Sequence, residues 1–431
     1  MTNPDQTVGK TASNPAVHVP SLFQGVLCGL ALLFLWSGAL ATILMGIATA
    51  IFQDPTMGDP LSMFLLSALL FGCGALLLPS IYYGFYRAFS RPTVDTLPWL
   101  RRTHPALWIF AFPIILAIGY GVGQLPVLSW IVLPPLNLLA VGIPVGWMLF
   151  LAVRNLPLGS SQRLWGVFDS GLVLAPALIT FFELLAAMAF LLPVAMYIAS
   201  QPELMGKIMS LAETIQEAPP TPEILLQEFG PYLARPEVLF GVLIFGAVIV
   251  PLIEELIKPM GVWLLAKRRL RPAAGFAAGA LSGAGYALFE SLALTSGGQE
   301  WPVLMVARVG TASVHILTTA ITGWALVQAW TRRRYLLLGL CFLTSVAIHG
   351  LWNGLTIYSA FKSLAEMRNL PSEVPTATGL SMVAPTSLVI LGIASLGLLI
   401  FFNRVLAAGN ATSVAPPNTS TTAEAPRETV L

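Results

Sequence analysis

Long apolar stretches separated by short polar segments dominate this chain. Most are close to or above the ~20 apolar residues that a helix needs to cross a bilayer. The first begins near Leu22, is longer than a signal-peptide core and lacks its basic flank, so we expect it to remain uncleaved. The predicted fold class is all-α, a polytopic membrane bundle of about ten transmembrane helices. The predicted spans are roughly 22–52, 61–86, 105–122, 126–153, 171–199, 237–266, 273–294, 302–330, 335–358 and 385–407.

The third and fourth predicted spans permit another arrangement. Pro126, Pro134, Pro135 and Pro144 interrupt this region, and proline removes a backbone donor from a helix. A re-entrant pair of helices is therefore the alternative to two complete crossings.

Composition supports the membrane assignment. Hydrophobic residues make up 56% of the 431 residues, charged residues only 10%, and the mean hydropathy is +0.80. A soluble domain carries about 25% charged residues. The three cysteines, Cys28, Cys73 and Cys341, all lie in apolar stretches and are interpreted as packing residues. The chain contains no C-x-x-C or H-E-x-x-H motif.

The positions of the basic residues predict the topology. With ten spans, sixteen Lys and Arg residues fall in the tails and even-numbered loops, and four fall in the odd-numbered loops. The positive-inside rule then places both termini in the cytoplasm of a cell-membrane protein. The predicted organisation is an N-terminal tail (1–21), five helices (22–199), an acidic outer loop (200–236), the candidate catalytic helices (237–360), a second outer loop (361–384), the last helix (385–407) and a disordered tail (408–431).

Charged residues inside a predicted span mark the candidate site. Glu254, Glu255 and Lys258 lie in the apolar stretch after Val238, where each charge costs roughly 2.5–3.5 kcal/mol on insertion scales. Lys258 follows the glutamates by four and three residues, so it can pair with either. Pro251 predicts a bend just before them.

The next span carries Glu290 on the face of a small-residue ridge. Gly275, Gly279 and Gly283 recur every fourth residue, a pattern that lets two membrane helices approach closely. Glu290 follows Gly283 by seven residues and therefore points into the bundle.

The following two spans add histidines. Arg308 and His315 are seven residues apart, and His349 and Asn353 are four apart, so each pair shares a helix face. Counted from the flanking basic residues, the glutamates and histidines fall in one layer about 10 Å thick. A shared cavity explains this common depth, and such residues can activate water and stabilise an oxyanion.

These motifs, in this order, resemble the PrsW-type intramembrane proteases, a family within the wider CaaX-protease and bacteriocin-processing group. The resemblance covers about residues 240–360 and implies that Glu254 and Glu255 activate water while His315, His349 and Glu290 complete the site. It also implies a membrane-anchored substrate such as an anti-sigma factor. One residue departs from the family pattern: Ser291 stands where an asparagine usually follows the second-motif glutamate.

The sequence leaves the use of metal open. Glu290, His315 and His349 could hold one zinc ion, with Glu254 or Glu255 as the base. Lys258 opposes this by its charge, whereas Arg308 is expected to lie about 10 Å from His315 and to matter less. Without metal, the histidines would stabilise the oxyanion. The expected partners are a membrane-protein substrate and the lipid bilayer, with no nucleic acid.

Two other functions are weighed against the protease. A proton-coupled transporter would use the Glu and His residues as a relay, although the internal repeats typical of transporters are not evident. A non-catalytic scaffold would keep the same residues for packing alone.

Overall fold

Every regular element is helical in the part of the chain that the computed structural model describes, residues 17–53, 58–89, 105–217, 236–294, 298–367 and 380–412. The all-α prediction is therefore confirmed. Nearly all of the predicted N-terminal tail, most of the predicted C-terminal tail and large parts of both predicted outer loops lie outside these residues.

The helices differ from their predicted bounds mainly at their ends. The last helix continues to Thr412, beyond its predicted end at residue 407, and the one before it continues to Met367. Pro202–Glu217 forms a helix inside the predicted acidic loop. In chain order the α-helices are α1 (Val19–Phe52), α2 (Pro60–Ala88), α3 (Ala111–Gly123), α4 (Pro126–Val153), α5 (Ser161–Asp169), α6 (Ala175–Ala199), α7 (Pro202–Glu217), α8 (Pro236–Ile244), α9 (Val250–Ile257), α10 (Met260–Trp263), α11 (Pro272–Ala293), α12 (Trp301–Arg332), α13 (Tyr335–Met367) and α14 (Leu380–Thr412).

Eight stretches of the described chain are helical, long and apolar enough to cross a membrane. They correspond to eight of the ten predicted spans, and α5 and α6 form one of them because a π-helical turn at Ser170–Leu174 joins the two helices. The two remaining predicted spans correspond to α3, a short apolar helix after a 3-10 turn, and to α11. The count of ten crossings stays a prediction.

Helix α11 lies at the centre of the bundle. Of its 22 residues, 18 are buried. On one side Gly275, Gly279 and Gly283 face backbone carbonyls of α12, and a Cβ on any of them would collide with that helix. On another side Gly285 faces the carbonyl of Phe168 at the end of α5, and Gly171 faces the carbonyl of Ser282. Small residues thus let neighbouring backbones approach α11 from two sides, as the glycine ridge predicts for one of them.

The outer helices are packed less tightly. Helices α1 and α2 form a hairpin, with Gly25 and Gly84 where their backbones meet. Helix α6 is buried only near its start: from Thr180 onward none of its described side chains is buried. This part of α6 faces the surroundings of the bundle, although its neighbours include the helix that carries the glutamate pair.

The span with the glutamate pair is interrupted, whereas the sequence predicts one bent helix. A π-helical turn at Phe245–Ile249 separates α8 from α9, and α9 ends at Ile257. Pro259 then separates α9 from the single turn of α10. Two irregular joints thus flank the glutamates, one on each side, and the bend at Pro251 stays a prediction.

Candidate functional site

One side chain of α13 forms a hydrogen bond with the π-helical turn that precedes α9. The amide of Val250 donates to the carbonyl of Phe245, five residues earlier. The next bond in this register would join residue 251 to Gly246, but Pro251 has no N–H. The Nδ2 group of Asn353 donates to the Gly246 carbonyl at 3.0 Å instead. Asn353 therefore supplies the donor that the proline lacks, and so anchors the helix that carries the glutamates.

Three residues on α13 have separate roles within the motif His349-Gly350-Leu351-Trp352-Asn353. His349 lies in the site, and Asn353 holds the π-helical turn. Gly350 lies between them, facing the carbonyl of Ala247, where a Cβ would collide with that oxygen. The glycine lets α13 approach the interrupted helix closely enough for both polar residues to act.

Lys258 is the centre of the site. Its ammonium lies 2.7 Å from Oε2 of Glu254 and 3.0 Å from Oε1 of Glu255. It also lies 2.7 Å from Nδ1 of His315 and 3.4 Å from Nδ1 of His349. The lysine side chain is completely buried. One cation thus contacts both glutamates, as the sequence spacing allows, and both intramembrane histidines as well.

Glu290 connects His315 to a second cation. Its carboxylate contacts Nε2 of His315 and lies 3.0 Å from the Arg308 guanidinium. Arg308 therefore lies closer to the site than the expected separation of about 10 Å from His315 suggests, because its long side chain reaches a carboxylate that itself contacts His315. Arg308 Nε also donates to Oγ of Ser291 at 3.2 Å. The serine that departs from the family pattern thus accepts a hydrogen bond at the edge of the site.

Two further residues of α11 contribute to the site and were not identified from the sequence. The ring of Tyr286 packs edge-on against His315, and its centroid lies 4.7 Å from the Lys258 ammonium. The hydroxyl of Ser282 donates to the Lys258 carbonyl at 2.6 Å, where α9 ends. Tyr286 precedes Glu290 by four residues and Ser282 by eight, so all three lie on the same face of α11. This shared face was the sequence signal that could have identified both residues.

The three side chains close enough together to hold a metal ion differ by one residue from the predicted three. Among the described residues, Glu254, His315 and His349 each offer an atom within 4.8 Å of the others. The sequence placed Glu290 in that role instead of Glu254. Glu290 is held against Arg308, so its position suits fixing the orientation of His315 from the far side of the ring.

The charges of the cluster are not balanced. Three carboxylates face two permanent cations, so one negative charge is in excess when both histidines are neutral. Oε2 of Glu255 is buried and has no hydrogen-bond partner. A buried carboxylate oxygen without a donor is costly, and either a proton or a metal ion would relieve that cost.

The cluster is almost closed. The side chains of Glu255 and Lys258 have no exposure and that of His349 only 2%, whereas Glu290 is 25% exposed. Glu290 is therefore the most exposed member of the cluster.

The fold and site together define a multi-pass helical membrane protein with a buried centre of glutamates, histidines and one lysine. Residues 222–384 match the family model described as PrsW family intramembrane metalloprotease. The match confirms the resemblance seen in the motifs, over less than half of the chain. It supports an intramembrane protease and does not favour the transporter alternative. No curated protein and no solved structure matched the chain.

Proposed function

We propose that the protein is an intramembrane endopeptidase that hydrolyses a membrane-anchored protein with water activated at Glu254 and Glu255. The observation that carries the proposal is the joining of both glutamates, His315 and His349 around one buried cation. Purely structural pairs would not require four ionisable groups from three helices to converge. The family match over residues 222–384 supports the same reaction class.

We assign Glu255 as the general base that takes a proton from the water. Its Oε2 atom is buried and has no donor, while Oε1 is held by Lys258 and by Nδ1 of His349, each at 3.0 Å. One oxygen is therefore fixed and the other is available to accept a proton from water, which is the arrangement a general base requires. Lys258 forms an ion pair with each glutamate and keeps their carboxylates together.

We assign Glu254, His315 and His349 as the residues that would hold a divalent metal. One carboxylate and two imidazoles are a common ligand set for catalytic zinc, and the excess negative charge of the cluster favours another cation. A bound metal supplies Lewis acidity toward the scissile carbonyl. Lys258 contacts the same ligand atoms, so the ammonium and a metal ion compete for them.

Glu290 and Arg308 act as positioning residues in this proposal. The carboxylate contacts Nε2 of His315, which leaves Nδ1 directed toward Lys258 and the glutamates. Arg308 holds that carboxylate in place at 3.0 Å. Without this pair the His315 ring would lose its fixed orientation.

The substrate class follows from the location of the centre. The glutamates lie in a span long and apolar enough to cross a membrane, and the cluster opens at Glu290. A substrate must therefore bring its scissile bond to a site enclosed by helices, which suits a membrane-anchored protein cut in or near its membrane segment. The distribution of basic residues supports placing both termini in the cytoplasm.

The decisive experiment compares purified variants on a panel of single-span membrane proteins. Glu255→Gln and Glu254→Gln preserve side-chain shape but remove a carboxylate, so cleavage should fall at least ~100-fold in each. Glu183→Gln should reduce cleavage much less, because this intramembrane glutamate interacts with Glu254, Lys258 and Glu290 only electrostatically and takes no part in the hydrogen-bond and ion-pair network described above. Full activity in both Glu254→Gln and Glu255→Gln would refute the glutamate mechanism.

Metal is tested separately on the same preparations. We expect about one tightly bound zinc per protein, its loss in His315→Ala and His349→Ala, and inhibition by a strong chelator that zinc reverses. Lys258→Met should strengthen zinc binding measured by competition with a metal indicator, because the competing ammonium is gone. Undiminished cleavage by metal-free protein would instead assign both histidines to the oxyanion.

A further inference from the structure

A second polar cluster lies at one end of the bundle, outside the site described above. His18 precedes α1, Arg87 lies in the last turn of α2, Arg163 lies in the first turn of α5, and Arg268 follows α10. All four line one cavity of about 550 Å³. Since each belongs to the end of a helix or its flank, this mouth of the cavity lies at a membrane surface.

The interior of the cavity is apolar. It continues along α1 and along the π-helical turn into α6, lined by Phe23, Leu27, Ala31, Val173, Leu174 and Ala177. From His18 to Ala31 the distance along α1 is roughly 20 Å, close to the thickness of one leaflet with its headgroups. The cavity therefore has the length and polarity profile of a single phospholipid.

The charges at the mouth select the headgroup. Three guanidinium groups line the cavity together with one carboxylate, that of Asp169. Asp169 follows Arg163 by six residues, roughly 9 Å deeper along the helix, so a phosphate at the arginines would not meet it. Arginine binds phosphate with paired hydrogen bonds, and basic pockets between membrane helices bind anionic headgroups.

Asp169 lies in the wall of the cavity but is itself almost completely buried. The residue is only 5% exposed, its Oδ2 contacts Sγ of Cys28 at 3.8 Å, and its Oδ1 has no hydrogen-bond partner.

We propose that this cavity binds one anionic phospholipid, with its phosphate on Arg87, Arg163 and Arg268 and an acyl chain along α1 and the start of α6. Part of the wall, Gly261, Leu264 and Leu265, belongs to the segment directly after Lys258 and Pro259. A bound lipid would therefore brace the joint that ends the glutamate helix.

The test measures lipid binding to the full chain in nanodiscs by native mass spectrometry and thermal unfolding, with phosphatidylglycerol and phosphatidylcholine as probes. Arg87→Gln/Arg163→Gln/Arg268→Gln should weaken retention of phosphatidylglycerol roughly 100-fold, as expected for three lost surface cations. The matched control, Arg269→Gln/Arg332→Gln/Arg334→Gln, removes three exposed charges that do not line the cavity and should change retention less than about 3-fold.

A second variant separates shape from charge. Ala177→Phe fills the apolar part of the cavity but keeps every arginine, so it should also reduce retention of phosphatidylglycerol and abolish the rise in melting temperature that the lipid causes. Equal loss in the test and control triple variants, or unchanged retention in Ala177→Phe, would overturn the proposal in favour of general surface charge. Equal competition by soluble glycerol phosphate would overturn it in favour of a free-anion site, and a co-purified peptide displaced by neither lipid would assign the cavity to a protein segment.

Discussion

The pairing of Pro251 with Asn353 leads to a quantitative prediction. Asn353→Leu removes the side-chain donor that the structure gives the Gly246 carbonyl. An unsatisfied buried carbonyl costs about 1–3 kcal/mol, whereas interhelical hydrogen bonds in membranes average nearer 0.6. Because Pro251 cannot replace the donor, we expect a loss of about 2 kcal/mol in the free energy of unfolding.

A double-mutant cycle with Pro251→Ala tests this pairing, because the alanine can restore a backbone donor to the Gly246 carbonyl. In Pro251→Ala, the new N–H can bond to Gly246 in the π register, or the turn can revert to the α register, in which the amide of Val250 bonds to Gly246 instead. Asn353→Leu should then cost less than about 0.5 kcal/mol, giving a coupling free energy of roughly 1.5 kcal/mol. The assay is equilibrium unfolding in mixed micelles, with cleavage rates measured on the same four proteins.

The control is Thr356→Val, one turn further along α13. Its hydroxyl bonds to the carbonyl of Trp352 within the same helix, so its cost should be equal in both backgrounds. If Asn353→Leu costs as much in the Pro251→Ala background as in the wild-type chain, the amide does not serve the carbonyl that the proline leaves unpaired.

Three further predictions follow from the bundle and the site. Glu290→Gln should reduce cleavage at least ~10-fold without loss of zinc, because the carboxylate orients His315 without being a metal ligand here; loss of the metal together with activity would return Glu290 to the ligand set. Gly279→Leu should prevent stable folding, seen as loss of a monodisperse peak in size-exclusion chromatography, because its Cβ would collide with the carbonyl of Thr319; Gly142→Leu, where a Cβ has nothing within 4 Å, should be tolerated. Cysteines introduced at positions 269 and 333, both exposed, should react with reagent from the cytoplasm, and those at 215 and 370 from outside; labelling of position 269 from the outer face would contradict the topology.

The sequence predicted which helices carry the site because charges in apolar spans are conspicuous and helical spacing fixes their faces. Glu254, Glu255 and Lys258 needed only the rule that residues three and four apart meet, and the glycine ridge needed only small side chains at every fourth position. The first inference needs only the geometry of one helix, and the second needs only the close approach of two backbones.

What the sequence did not predict depends on how neighbouring helices are rotated and on side-chain reach. Arg308 reaches Glu290 because its side chain is long, a fact that counting rise along one helix cannot capture. Asn353 was expected to support the site from the same helix face as His349. Its bond to the Gly246 carbonyl could not be predicted, because this acceptor is left without a backbone partner only where the helix switches to the π register before Pro251. The group of side chains close enough to hold a metal ion contains Glu254 rather than Glu290 for the same reason, because three helices decide which carboxylate faces both histidines.

The burial of α11 has a consequence for biogenesis. This helix is not among the eight apolar enough to enter a bilayer on composition alone, and its small, weakly apolar surface is covered by other helices rather than by lipid. Insertion of α11 should therefore depend on α5 and α12 being present to receive it. Since α11 contributes Glu290 and Tyr286, the cluster around Lys258 should be complete only after this helix has inserted between its neighbours.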